Sequence, residues 1–261
     1  MPNPDQDWRW LGNQAVDVVI DWTLQKMGLP KNERQALSQK LYNTAMAEAL
    51  EQFQRIAALE IAIPGDPNFD LHDLLGQAGR EDPKLKYLAN RELYRYDWLD
   101  SNPVIKTYHD KLASYIKLRK ILPVLNTGSV VFPLDPTRPA EAELISPMIL
   151  PLIRDNGKDQ AICLVNFGNP QNSWDTWQQS QNSPEYPEIH SQQPKVENYK
   201  LPLKFTGIPV GTRYKSVDPE AHGEEIYGVN PNQELVKMNP DGTFTNQGIN
   251  IHIARTLLRI K

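Results

Sequence analysis

The stretch YIKLRKILPVLNTGSVVF, residues 115–132, with AICLVNFGN, residues 161–169, decides how this chain is read. The first begins as helix and ends as strand, and the second is an apolar strand. Asn102 is suited to cap the helix start, and Pro103 suits its first turn, where proline's missing N–H has no intrahelical partner to lose. Tyr108, Leu112, Tyr115, Leu118 and Leu122 recur every three or four residues, which predicts one buried stripe. Pro123 stops that helix.

Upstream of this junction the chain is helical in character. QAVDVVIDWTLQKMG, residues 14–28, reads as an amphipathic helix ended by Gly28 and Pro30. A long helix is expected from about Lys31, with Leu37, Leu41, Met46, Leu50, Phe53 and Ala57 in steps of three to five. Pro64, Gly65 and Pro67 forbid its continuation, so LEIAI, residues 59–63, is either the helix end or a short buried strand. Residues 76–100 are polar, with Gly76, Gly79 and Pro83, and read as a long loop packed on a domain face.

Downstream of Leu125 the signals turn to β. SVVFPL, ILPLIR, AICLVNF, EEIYGV, ELVKM, TFT and INIHIARTLLRI are separated by turn formers such as Asp155-Asn156-Gly157, Asn230-Pro231-Asn232 and Asp241-Gly242. Several short strands at this spacing predict an antiparallel Greek-key sandwich. In the last segment Ile249, Ile251 and Ile253 alternate with Asn250, His252 and Ala254, which predicts one strand with a buried and a wet face. The Gln, Asn, Ser and Pro-rich residues 169–200 read as a surface excursion. The expected fold class is therefore α+β, divided into a helical region 1–124 and an all-β domain 125–261.

The 261 residues, 39% hydrophobic, suffice for a proper core. A formal net charge of -4 with scattered basic residues gives no electrostatic reason to expect nucleic acid or an anionic membrane. No apolar run approaches the ~20 residues of a membrane span, and MPNPDQDWRW lacks the basic and apolar regions of a signal peptide. A cytoplasmic chain is the expectation. The single cysteine, Cys163, lies in an apolar strand pattern without basic or histidine neighbours and reads as a small core residue.

The order of several motifs resembles the C-terminal portion of the α-amylase family of glycoside hydrolases. Ala57-Ala58-Leu59 followed by Pro64-Gly65 and Pro67 is similar to the helix and turn that announce that family's last barrel strand. Asn90, Arg91 and Trp98 resemble its Asn-Arg and following Trp, and LRK-x-x-P-x-L-x-x-G, from Leu118 to Gly128, resembles the final barrel helix handing over to domain C. Val165-Asn166-Phe167 and Leu257-Leu258-Arg259-Ile260 resemble domain C strands. The resemblance covers about residues 48–261. It departs at DLHDLLG, residues 70–76, where the family has a Gly-x-Glu.

The resemblance implies hydrolysis or transfer at α-glucosidic linkages of starch-like or glycogen-like glucans or related α-glucosides. That chemistry needs a nucleophilic Asp, a general-acid Glu and a second Asp. The family carries all three on earlier strands, so no catalytic residue is assigned and the chain alone is expected to be inactive. His72 and Asp73 imitate a family His-Asp pair, but they follow the Pro-Gly turn that should come after it. As residues after an eighth barrel strand they are candidates to line a substrate cleft, with Asp73 equally readable as a helix cap. Trp174 and Trp177 are candidates to stack on glucose rings or to anchor their own loop. No metal site or cofactor is expected. The expected partners are an α-glucan or oligosaccharide, and either a chain bearing the earlier barrel strands or a second copy. A non-catalytic carbohydrate-binding or protein-interaction module on the same scaffold is the alternative.

Overall fold

The computed structural model describes residues 26, 28–67, 103–133, 149–167, 195–218 and 224–260. The expected helix at 14–28 and loop at 76–100 lie outside them, apart from Lys26 and Gly28. The chain divides into two units, Met1–Glu51 with Asn68–Asp110 and Gln52–Pro67 with Lys111–Lys261.

Helix α1 spans Lys31–Ala62, so LEIAI is helix to within one residue of its end. Its segment in the first unit begins beyond Pro30, where Arg34 N–H donates to the Pro30 oxygen. Helix α2, Pro103–Ile121, carries the expected stripe: Tyr108, Leu112, Tyr115, Leu118 and, just past its end, Leu122 are all buried. Leu122 leaves the helix with φ -111° and ψ 91°, the extended backbone that a following proline imposes. Pro123 then opens the short helix α3, Pro123–Thr127. The proline thus ends one helix and starts another. Gly128 turns the chain into the sheet.

Among its described residues the second unit contains ten strands: β1 Ser129–Val131, β2 Ile149–Asp155, β3 Gln160–Asn166, β4 Val196–Tyr199, β5 Leu201–Pro202, β6 Arg213–Ser216, β7 Ile226–Val229, β8 Glu234–Lys237, β9 Ile249–Ile251 and β10 Ala254–Arg259. Eight form one antiparallel sheet in the order β1-β2-β3-β10-β6-β7-β8-β5, and β4 and β9 pair as a second. With helices beside these sheets, the α+β class holds.

Strand β3 is buried along its whole length because it is covered on both faces. On one face Ile162 and Leu164 join Ile153, Leu257 and the β4 and β9 residues Val196, Tyr199, Ile249 and Ile251 in a common core. On the other, Cys163 and Val165 meet Ala58, Ile61, Tyr115 and Leu125 from the helical segments. That is why AICLVN reads as an unbroken apolar run rather than an alternation. Burying each Ile or Leu contributes about 1.5–3 kcal/mol relative to exposure.

Four expectations are corrected. INIHIARTLLRI is two strands, not one: β9 ends at Ile251, the chain bends at His252 and Ile253, and β10 enters the other sheet. Ala254, expected on a wet face, is buried under the helical side together with Thr256. Residues 196–199, read as part of a surface excursion, form β4 with Val196 and Tyr199 buried against β9. TFT contributes a single bridge, Phe244 to Met238, instead of a strand.

Candidate functional site

His72, Asp73, Trp174 and Trp177 lie outside the described residues, as do Asn90, Arg91 and Trp98. Two arginine-centred constellations stand out among the described polar groups of the second unit.

The first gathers at the C-terminal end of α1, whose last turn carries no basic residue of its own. The final carbonyls of a helix lack intrahelical donors and bear partial negative charge, so they call for cations from elsewhere. Arg119 of α2 supplies one: its Nη1 donates to the oxygens of Ile61 at 2.7 Å, Ile63 at 2.9 Å and Glu60 at 3.2 Å, and its Nη2 donates to Gly65. Asn126 steadies that side chain by accepting from Nε at 3.0 Å. Arg154 of β2 supplies the second, donating from Nη1 to Ala62 at 2.6 Å and from Nη2 and Nε to the Gly128 oxygen at 2.7 and 3.2 Å. Burial pulls both guanidiniums below their ordinary value, in Arg119 against the opposing charge of Asp66, yet arginine starts so high that both stay charged.

Arg55, on the helix itself, donates to the main-chain oxygen of Asn166. Asn166 is fully buried, and its Nδ2 donates to His252 at 2.8 Å while its N–H donates to Ile253 at 2.8 Å. One asparagine thus pins the end of β3 to the corner between β9 and β10 and receives the helix. These groups fasten elements together through the carbonyls they hold.

The second constellation sits where β6, β7 and β10 meet. Asp218 accepts from Ser216 Oγ at 2.9 Å, from the Thr256 N–H at 3.1 Å and from Arg255 Nη1 at 3.4 Å. Arg255 Nη2 lies 3.3 Å from Glu225 Oε2, and Lys237 Nζ lies 3.0 Å from Glu225 Oε1. Tyr227 donates its hydroxyl to Glu225 at 3.2 Å. Burial, the largest influence on Glu225, would raise its carboxyl, but the Lys237 hydrogen bond with the Arg255 and Lys237 charges and the Tyr227 hydroxyl holds it below the ordinary value. A carboxyl kept ionised in this way cannot serve as a general acid near neutral pH. Two carboxylates here are matched by two cations, which is a structural ion network.

Cys163 is buried, and desolvation pushes its thiol up to about 12 despite nearby Arg154 and the Thr256 hydrogen bond. It is a core residue, not a nucleophile, in line with its sequence context. The gap it shares with Ala58, Tyr115 and Thr256 has room for about one water molecule, far too little for a sugar ring. Among the described residues no group of three or more His, Cys, Asp or Glu could hold a metal ion, and no helix is long and apolar enough to cross a membrane.

Sequence reading met Arg119 and Asn166 only as members of the LRK and Val165-Asn166-Phe167 motifs, with no role assigned, and did not single out Arg154, Asp218, Glu225 or Arg255. The available signal was a charged residue inside an apolar strand pattern, as Arg154 is in ILPLIRD and Arg255 in INIHIARTLL.

No family model and no curated protein sequence matches the chain. Among solved structures it is similar to the α-amylase of Geobacillus thermoleovorans in complex with acarbose, at 13% identity and a TM-score of 0.48 over 81% of this chain and 34% of that one. It is also similar to an Anoxybacillus α-amylase, at 12% identity and TM-score 0.48 over 79% of this chain and 32% of that one. The α-amylase of H. orenii is similar at 11% identity and TM-score 0.44, over 80% of this chain and 36% of that one. The chain spans about a third of the length of the α-amylases it resembles.

Proposed function

We propose that the chain is the C-terminal part of an α-amylase-family protein that acts on α-glucosidic linkages, with α1 and α2 as the end of a barrel and residues 125–261 as its Greek-key domain C. The observation that carries this reading is the hand-over at Pro123. A helix whose last turn reads LRK passes through Pro123 and Gly128 directly into an antiparallel sheet. In that sheet the two strands bearing the family-like motifs, β3 and β10, lie side by side with Ala254 opposite Val165. The insertion of β10 between β3 and β6 is the kind of long return that a Greek key makes.

The chain by itself is inactive on this reading, because the carboxylates of the reaction belong to earlier strands; Asp218 and Glu225 are committed to Arg255 and Lys237. The barrel-end helices associate with a chain carrying those strands or with a second copy, through residues roughly 33–75 including Leu41, Leu50 and Phe53. Ile56, half exposed on α1, supports an unfinished apolar contact. His72, Asp73, Trp174 and Trp177 are the proposed sugar contacts.

The test is an assay of reducing-sugar release from soluble starch and maltooligosaccharides, run beside a titration of oligosaccharide binding and sedimentation of the full chain. Binding weakened by Trp174→Ala or Asp73→Asn, without hydrolysis, supports the proposal. Hydrolysis abolished by Asp73→Asn would refute the inactive reading. A monodisperse monomer that binds no sugar would overturn both the barrel-end and the sugar-site assignments.

A further inference from the structure

The β2–β3 turn contains the sequence Asp155-Asn156-Gly157-Lys158-Asp159, and its hydrogen bonds surround one side-chain amide with reactive groups. Gly157 N–H donates to Asp155 Oδ1 at 2.7 Å. Asn156 Oδ1 accepts from the N–H of Lys158 at 3.0 Å and from that of Asp159 at 2.7 Å. Asp155 is held in place through its other oxygen, which accepts from Gln160 Nε2 at 2.8 Å. Gly157 adopts φ +81° and is exposed, and a Cβ added there would meet nothing within 4 Å outside its chain neighbours.

Asn-Gly is the dipeptide least hindered toward attack of a main-chain nitrogen on the preceding side-chain amide. Such attack needs three things: a base for the N–H proton, donors for the oxygen that becomes anionic, and a leaving group free to depart. Asp155 stands as the base for the Gly157 proton. The Lys158 and Asp159 N–H groups already point at Asn156 Oδ1, where negative charge would develop.

We propose that this hairpin is a self-modifying site, at which Gly157 nitrogen closes on Asn156 Cγ with Asp155 taking the proton. The N–Cγ bond forms, the bond from Cγ to Nδ2 breaks, and the proton passes from Asp155 to the departing nitrogen, which leaves as ammonia. Water then opens the cyclic imide at one of its two carbonyls, leaving aspartate or isoaspartate at position 156. No electrons are exchanged. Either product adds a negative charge to the hairpin tip, and isoaspartate lengthens the main chain between Asp155 and Gln160, which pair across the turn.

The full chain is incubated in neutral buffer, folded and in urea, and followed by ion-exchange chromatography and peptide mapping by mass spectrometry. The folded chain is expected to lose ammonia at position 156 about a hundredfold faster than the unfolded one, the lower end of what a positioned base contributes. Asp155→Asn keeps an acceptor but removes the base, and is expected to slow the folded reaction without altering the rate in urea. A folded rate equal to or below the unfolded rate overturns the proposal, whatever the variant does. So does an Asp155→Asn chain that folds and reacts as fast as the parent.

Discussion

Arg154 Nη1 donates to the main-chain oxygen of Ala62 at 2.6 Å, joining a β-strand to the end of a helix 92 residues earlier. The guanidinium is completely buried, and its recorded acceptors are the carbonyls of Ala62 and Gly128 rather than a carboxylate. A cation with no counter-ion among the described residues survives there because the oxygens at a helix end provide partial negative charge in a fixed place.

Replacing Arg154 with Met fills much of the volume but strands those two carbonyls. At about 1–3 kcal/mol for each unpaired buried group, Arg154→Met is expected to cost about 2–6 kcal/mol. Arg154→Lys should fall between, since a point charge cannot fork between two acceptors. The check is a lower urea midpoint with an unchanged slope.

Cys163 gives a pH signature. Its folded value is raised from 9.0 to about 12, so its contribution to stability is complete below 9.0 and is lost as pH climbs toward 12. Burial likewise raises Tyr199, Tyr214 and Tyr227 above 10.0, adding to the alkaline loss. The stability gap between the parent and Cys163→Ala should therefore narrow as pH rises above 9.0. Ellman's reagent should leave the folded thiol unmodified below that pH and label it on unfolding.

In the Asp218–Arg255 pair the Asp218 side chain is wholly buried and that of Arg255 nearly so. Removing one partner of such a pair costs about 3–5 kcal/mol, so Asp218→Ala should approach 3 kcal/mol. The double variant with Arg255→Met should cost less than the two single changes added together, measurable as a coupling energy in urea denaturation. Glu225 acts on the acid side. With its value held below 4.5, its contribution is present above 4.5 and is lost as pH falls through the lowered value, so parent and Glu225→Gln should converge in stability there.

Gly248 precedes β9 where a Cβ would stand 2.4 Å from the Tyr199 oxygen and 2.6 Å from the main-chain carbon of Asn198. Main chain cannot step aside as a side chain can. Gly248→Ala should cost about 1–3 kcal/mol, the usual range for overpacking. Faster hydrogen exchange at the amides pairing β4 with β9 would locate the damage.

Local sequence signals placed the helix from Pro103, the break at Pro123, strands at ILPLIR and AICLVNF, residues 149–154 and 161–167, and the burial of Ile249, Ile251 and Ile253. They did so because periodicity and proline chemistry act within a few residues of the chain. The α+β class follows from the same signals. Three matters were settled only by distant parts of the chain. Ala254 is buried because helices cover a face that alternation assigned to water. INIHIARTLLRI divides between two sheets because Asn166, from a strand more than eighty residues away, holds its corner by hydrogen bonds to His252 and Ile253. Arg119, Arg154 and Arg255 could be recognised as interior only once the helix end and the β6–β7 carboxylates were in place around them, since the sequence alone carries their charge but not the acceptors that make its burial tolerable.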